Sequence, residues 1–207
     1  MANIGTNIER RSALAEVYTV GTTGGAPGTP GVTLAERRPL SIVHAAGDPS
    51  KKAFADGIKN ATGCAIPKEA NTVTRSGNDA VIWLAPTRFL CVSPDQGAGV
   101  LEGALRVACG DSGAIIDVSH GRTVTRVSGP NARDMLIKGP PVDLHPSAFK
   151  PGSAVQSQMA HCGVLITCVD DDVFDLYCFR AFGQHMWEWL CEASIEFGYQ
   201  VGDVITD

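Results

Sequence analysis

Three apolar runs, AVQSQM at 154–159, GVLITCV at 163–169 and VFDLYCF at 173–179, follow one another with only short breaks between them. Runs of this length bounded by Gly or Asp read as strands. A parallel crossover needs about a dozen residues or more, which these breaks do not supply, so the three strands are antiparallel neighbours. Upstream, LSIVHA (40–45) reads as a strand, and AVIWLA (80–85) and RFLCVS (88–93) as two more around the break at Pro86-Thr87. AIIDVSHGRTVTRVSG (114–129) is strand-rich. Helical patterns interleave with these strands. The expected class is α+β with antiparallel sheets rather than a doubly wound parallel sheet.

The helices are read from caps and periodicity. Asp48 as cap with Pro49 at the first helical position opens a helix carrying Phe54 and Ile58, and Gly63 ends it. An Ala/Leu/Val helix runs from about Gln96 to Cys109, with Val100, Leu101, Ala104, Leu105 and Ala108 on one face. Gly129-Pro130 opens a short helix with Ala132, Met135 and Leu136 inward. Residues 1–38 read differently, as an arm. Within them, ERRSALAEVY allows one helical turn behind Ser12, and GTTGGAPGTPG has no apolar period. The arm is either a free tail or ordered along another chain. The remainder, 39–207, forms one domain of two halves, about 39–110 and 111–207.

The formal charge of −5 argues against sequence-independent nucleic-acid binding, which needs a basic surface to displace counterions. No stretch approaches the roughly 18 apolar residues of a membrane span, and the N-terminus lacks the apolar core of a signal peptide. A cytoplasmic location is expected, without a membrane partner. The 7 cysteines include no C-x-x-C pair. Cys162, Cys168 and Cys178 lie in apolar runs, so buried free thiols are expected and neither a disulfide framework nor a metal site. His161-Cys162 lacks the partner spacing that would complete a ligand set. No G-x-G-x-x-G or P-loop is present, and the DDD run at 170–172 reads as a turn.

Asp117, Ser119 and His120 have the residue types of a hydrolase triad. On an extended strand, however, Asp117 and Ser119 point to one face and His120 to the other, so the three cannot converge. His120 and Arg122 would share a face, with His120 either buried and hydrogen-bonded within its own subunit, the favoured reading, or in a polar contact with a partner or ligand. Arg133 and Asp134 read as solvated charges, and Gly129-Pro130 as a turn. No residue is assigned a catalytic, cofactor-binding or metal-ligating role.

The last helix, within FGQHMWEWLCEASIEF (182–197), carries two apolar lines. Phe182, Met186, Trp189, Leu190, Ala193 and Phe197 form a stripe suited to docking on a sheet. Trp187, Cys191 and Ile195 run along another side, and His185, Glu188, Glu192 and Glu196 form the polar strip. One sheet cannot cover both lines. Either the other half of the chain covers the second, or Trp187, Cys191 and Ile195 form a subunit interface.

DVSHGRTVTRVSGPNARDMLIKGPPVDLHPSAFKPGS (117–153) and FDLYCFRAFGQHMWEWLCEASIEFG (174–198) together resemble the gamma subunit of heterotetrameric sarcosine oxidase. The likeness spans roughly 40–198. Where that family usually shows Trp-Leu-Gly-Pro-Asp-Glu-Trp-Leu, this chain has Trp83-Leu84-Ala85-Pro86-Thr87-Arg88-Phe89-Leu90, keeping Trp83, Pro86 and an aromatic at Phe89. The resemblance implies an aminomethyltransferase-like fold, that of the glycine-cleavage T-protein, with ferredoxin-like halves. It also implies a complex that oxidatively demethylates sarcosine to glycine and formaldehyde, or methylene-tetrahydrofolate, with hydrogen peroxide. Partners would be alpha, beta and delta subunits holding FAD, FMN, NAD, zinc and tetrahydrofolate. Aminomethyltransferases place a Gly-Gly-x-x-Asp-Asp carboxylate at the folate amine. The alignment puts Cys162-Gly163-Val164-Leu165-Ile166-Thr167 there, so the acid is replaced and a non-catalytic structural subunit is implied. The alternatives are a free-standing folate-binding module or aminomethyltransferase-like enzyme, and the equivalent subunit of an N-methyl amino acid dehydrogenase such as N-methylglutamate dehydrogenase.

Overall fold

The computed structural model describes residues 11–25, 28–38, 41–97 and 99–206. In chain order the elements are β1 (Gly21–Thr23), β2 (Val32–Glu36), β3 (Ser41–Gly47), α1 (Lys52–Thr62), β4 (Val73–Ser76), β5 (Asp79–Ala85), β6 (Arg88–Ser93) and α2 (Val100–Cys109). They continue with β7 (Gly113–Asp117), β8 (Arg122–Ser128), α3 (Ala132–Leu136), β9 (Ala154–Met159), β10 (Cys162–Asp170), β11 (Val173–Phe179), α4 (Gly183–Ser194) and β12 (Tyr199–Val201). A five-stranded sheet has the order β4-β5-β6-β3-β7, and a seven-stranded sheet the order β1-β12-β2-β8-β11-β10-β9. All pairings between these strands are antiparallel except β12 with β2.

The two sheets pack face to face and each carries helices on its outer side. Ile42, Ile82, Leu90 and Val92 of the smaller sheet meet Val124, Leu165 and Tyr177 of the larger. Outside the smaller sheet, Phe54 and Ile58 of α1 and Leu101 and Leu105 of α2 cover Val43, Val81 and Cys91. Outside the larger sheet, Met135 and Leu136 of α3 and Met186 and Leu190 of α4 cover Leu34, Ile166 and Phe174. The α+β antiparallel class is borne out. Cys162, Cys168 and Cys178 are buried free thiols, as their apolar runs imply.

The first half follows the ferredoxin pattern: β3-α1-β5-β6-α2-β7 gives the order β5-β6-β3-β7, with β4 added as a hairpin on β5. In the second half, β2 takes the place beside β8 that the strand after α4 would occupy. β12 is displaced outward by one position and runs parallel to β2. The chain therefore does not divide at 38/39. Val32, Leu34 and Leu14 are fully buried in the main core, because their apolar side chains complete the sheet layer under α4. Residues 1–10 and 26–27 of the expected arm lie outside the described residues, as do Leu40, the expected first residue of a strand, and Ala98 in the expected helix start. The division between halves also shifts, since β7 pairs with β3 in the first sheet.

Local expectations hold in part. Gly63 ends α1 in the left-handed region at φ 70°. Asp48 does not cap the helix. It accepts from Ser50 N at 2.9 Å and from Ser50 Oγ at 2.7 Å in a turn, and α1 starts only at Lys52. Ser12 does support the first turn, its Oγ accepting from Leu14 N at 2.9 Å. The β9–β10 hairpin turns through Ala160 (φ 50°) and His161 (φ 61°). Two consecutive positive φ values match the twist of paired strands.

α1 and α2 approach closely at Gly57, where an added Cβ would meet Cys109 Sγ at 2.7 Å and Ala108 O at 2.8 Å. The carbonyl oxygen belongs to the α2 backbone and cannot turn aside. Gly57→Ala is therefore expected to cost about 1–3 kcal/mol by forcing the helices apart, measured as a lower urea midpoint. An unchanged midpoint would mean that the helices separate freely.

Candidate functional site

The two inner sheet faces part at one end. On the smaller sheet, His44 pairs with Leu90 and with Ile116, so all three share a face. Leu90 is 2% exposed and Ile116 55%. On the larger sheet, Val124 pairs with Tyr177 and Arg122 with Phe179. Val124 and Tyr177 are buried, whereas Phe179 is exposed. The sheets thus lose contact one pair further along each strand. Arg122 lies between two clefts there. One, of about 200 Å³, is lined by Leu84, Leu90, Gln156, Gly163, Tyr177 and Phe179 among others. The other, of about 220 Å³, is lined by Ser12, Glu36, Arg38, His120 and Arg180 among others.

The Arg122 guanidinium carbon lies 4.0 Å from the centroid of the Phe179 ring, within cation–π range. Burial lowers the pKa of Arg122 from its usual value. The lining of the first cleft includes no carboxylate. His44 is also shifted down, by burial first and then by the charges of Arg88 and Arg122. Burial pushes the Tyr177 hydroxyl up and the Cys178 thiol up to about 11. The cleft thus offers permanent positive charge on an apolar floor. That can hold an anionic group or a partner side chain, but it supplies no matched acid and base for proton transfer.

The His44 shift sets a pH dependence. Its pKa is lower folded than unfolded, so the unfolded chain binds the extra proton and acid favours unfolding. The contribution is complete above the unfolded value of 6.5 and is lost as pH falls toward the depressed folded value. Replacing His44 by Gln is expected to flatten this part of the curve in urea titrations below pH 6.5. An identical pH slope in the variant would assign the dependence to other groups.

Deeper between the sheets, Asp175 is fully buried and holds two arginines. Its Oδ2 accepts from Arg37 Nη1 at 2.8 Å, and Arg126 binds both oxygens, through Nε at 2.8 Å and Nη2 at 2.9 Å. This set ties the β2 end of the N-terminal segment to β8 and β11.

The triad types are kept apart. β7 ends at Asp117, and a single 3-10 turn spans Ser119–Gly121. Asp117 Oδ1 accepts from Ser119 N at 2.7 Å, and Ser119 Oγ accepts from Ile42 N at 2.8 Å. His120 is exposed rather than buried, because the turn swings it off the strand. Arg133, expected in solvent, is buried. It pairs with Asp172 at 3.0 Å, donates to the carbonyls of Leu144 and Phe149, and lies over Phe174. The Asp170–Asp172 turn that supplies its counter-charge is remote in sequence, so local pattern could not reveal the pair. Asp134 is exposed.

The apolar line of α4 is divided. Trp187 is 3% exposed, covered by the chain's own Tyr18 with ring centroids 5.0 Å apart. Tyr18 is fixed in turn, donating to Gly202 O at 2.8 Å and accepting from Glu36 N at 3.1 Å. Trp187 is therefore not available to another subunit. Cys191 is half-buried, and Ile195 is 50% exposed while its carbonyl accepts from Gly25 N at 3.0 Å. The helix is rolled toward Trp187, which leaves Phe182 of the expected docking stripe exposed and Trp189 half-buried. Strand alternation offers Arg122 beside His120; the structure adds Phe179 and Arg180 to form an Arg122–Phe179–Arg180 group. The only sequence signal for the added pair is FRAF at 179–182, two aromatics around an arginine directly after a strand.

Among the described residues, no group of His, Cys, Asp or Glu could hold a metal ion, and no helix is long and apolar enough to cross a membrane.

Comparison with known proteins gives a consistent set of matches. Residues 46–196 match the family described as "Sarcosine oxidase, gamma subunit family". The chain is 32% identical over 196 residues to sarcosine oxidase subunit gamma of Corynebacterium sp. (strain P-1), covering 93% of each. It is 31% identical over 195 residues to the subunit of the same name from Arthrobacter sp., again covering 93% of each. Among solved structures, a chain of the heterotetrameric sarcosine oxidase from Corynebacterium sp. U-96, in complex with pyrrole 2-carboxylate, superposes with a TM-score of 0.80 at 28% identity. That match covers 91% of this chain and 96% of the other. The glycine cleavage system aminomethyltransferase T from Bartonella henselae shares the fold, with a TM-score of 0.65 at 14% identity, covering 93% of this chain and 58% of that one.

Proposed function

The chain belongs to the sarcosine oxidase gamma subunit family, and from that premise we propose that it is a non-catalytic structural subunit of a heterotetrameric flavoprotein oxidase in the cytoplasm. The assembled enzyme would oxidatively demethylate sarcosine to glycine and formaldehyde, with formation of hydrogen peroxide. The alpha, beta and delta partners would hold FAD, FMN, NAD, zinc and tetrahydrofolate. The observation that carries this reading is the superposition, over nearly its whole length, on a chain of a heterotetrameric sarcosine oxidase.

The inter-sheet cleft supports the structural role. A folate amine that must exchange a proton is served by a carboxylate beside it, and the cleft lining holds none: Arg122, Gln156, Ser157 and Tyr177, whose hydroxyl burial keeps protonated, stand there among aliphatic and aromatic side chains. These residues do not fit tetrahydrofolate as an aminomethyltransferase would use it, and no step of such a transfer is derived from them. Of the line Trp187, Cys191 and Ile195, Ile195 is the member left to meet a partner, with Cys191 at its margin.

Affinity purification through a tag on this chain, followed by native mass measurement, tests the reading. The expected result is an assembly containing larger, flavin-coloured subunits, while the chain produced alone is colourless and shows no heat of tetrahydrofolate binding. A stable lone chain that binds tetrahydrofolate would overturn it in favour of a folate-binding module, the reading that the fold shared with the aminomethyltransferase makes worth testing.

A further inference from the structure

Phe179 and Phe182 are 52% and 44% exposed, on either side of the turn that leads into α4. Arg122 lies across the first ring. Arg180, between the two phenylalanines, is exposed and donates to the main-chain oxygen of Arg11 at 2.7 Å. An open groove of about 650 Å³ is lined by Phe179 and Arg180 together with His120 and Gln184, and half-buried Arg122 lines the two clefts that adjoin it. Among the described residues, neither Arg122 nor Arg180 has a carboxylate within ion-pair distance, whereas Arg37, Arg38, Arg106, Arg126 and Arg133 each do. The first turn of α4 carries no acidic side chain. Among the described residues this face therefore presents two guanidinium groups with no carboxylate in ion-pair distance, on a protein whose net charge is −5.

We propose that this face docks an acidic segment of a partner subunit. One of the segment's carboxylates is received by Arg122 or Arg180, and an apolar neighbour seats on Phe179 and Phe182. The inference rests on the subunit reading above and goes beyond it by naming the surface and the chemistry of what covers it. Three observations favour a polypeptide over a small anion. The groove is open, so a free anion bound there would stay hydrated and weakly held. The charge is flanked by exposed phenyl rings, and aromatic residues with arginine are the composition enriched at interface cores. Arg122 is already stacked on Phe179, so its planar fork is oriented before a carboxylate arrives and less freedom is lost on pairing.

The test uses the assembled complex. The tagged chain is produced together with its partner subunits as wild type, as Arg122→Gln and as Arg180→Glu, with Lys51→Glu as a charge control on an exposed residue preceding α1. Association is measured by native mass spectrometry and by dissociation across a salt series, and the melting temperature of each free chain is recorded. The expected result is a loss of affinity on the order of 30-fold for either arginine variant, a flatter salt dependence, an unchanged Lys51→Glu control, and hydrogen-exchange protection of residues 179–184 only in the complex. Among the described residues the exposed Arg180 side chain makes one hydrogen bond, to a main-chain oxygen, so Arg180→Glu is expected to fold even if Arg122→Gln does not. If the wild type assembles and Arg180→Glu assembles equally well with residues 179–184 unprotected, the docking surface is elsewhere. If the wild type recruits no larger subunit, the subunit reading fails and this proposal fails with it.

Discussion

A chain lacking residues 1–38 is expected to lose its cooperative fold, although every element from β3 onward is retained. The truncation removes β2 from between β8 and β12, where it pairs with both, and strips Tyr18 from Trp187. Leu14, Val32 and Leu34 are each fully buried. Burial of a side chain of this size contributes about 1.5–3 kcal/mol, so these three alone approach the roughly 5–15 kcal/mol that holds a domain folded. The exposed edges of β8 and β12 would also template aggregation. The expected measurement is insoluble protein, or a soluble product with no sharp thermal transition in far-ultraviolet circular dichroism. A soluble truncation melting near the full-length temperature would show that β2 is an appendage to the sheet and not part of its framework.

Asp175→Ala is expected to destabilise the chain by about 3–5 kcal/mol, the range for breaking a buried ion pair from one side. The carboxylate is completely buried and accepts three hydrogen bonds from Arg37 and Arg126. Arg37 is itself 6% exposed at its side chain, against 22% for Arg126. Removing the anion leaves a guanidinium in the inter-sheet layer that cannot lose its proton. Arg126 has a shorter way to solvent, so Arg37 should carry most of the penalty. Asp175→Ala combined with Arg37→Met should then recover part of the loss, because it also removes one of the two positive charges that Asp175 faces in the inter-sheet layer. Urea unfolding of the two variants measures this. A single-variant loss below about 1 kcal/mol, or no recovery in the double variant, would mean that packing and not charge compensation dominates at this position.

Element identity was largely legible along the chain, and the reasons are local. The short apolar runs at 154–179, bounded by Gly or Asp and joined by breaks too short for a crossover, read as antiparallel strands, and Gly63 could stop α1 because glycine enters the left-handed region without strain. The hydrophobic run around Cys168 identified that thiol as core. Site geometry was much less legible. Arg133 looked like a surface charge on a short amphipathic helix, and only the Asp172 side chain and two distant carbonyls make it a buried anchor. His120 was placed by strand alternation, but one turn of 3-10 helix breaks the alternation and exposes it. The cluster of Arg122, Phe179 and Arg180 joins β8 to the end of β11, which no spacing along the chain connects.

The N-terminal segment shows where that boundary lies. Its Gly/Thr/Pro-rich stretch at 21–31 shows no apolar period, yet Gly21–Thr23 pairs with β12, Val32–Glu36 becomes an inner strand because β8 offers an unpaired edge, and Tyr18 covers the Trp187 of α4. By itself, the sequence determined the class of fold, the position of the four helices and of most strands though not of β1, β2, β4 and β12, and the family to which the chain belongs, since these follow from short-range periodicity, turn chemistry and residue motifs. Only the tertiary structure decided which neighbour covers each apolar face, which charges are compensated and where the uncompensated ones gather. Burial and ion pairing depend on distance through space, and a strand inserted from far along the chain rearranges both at once.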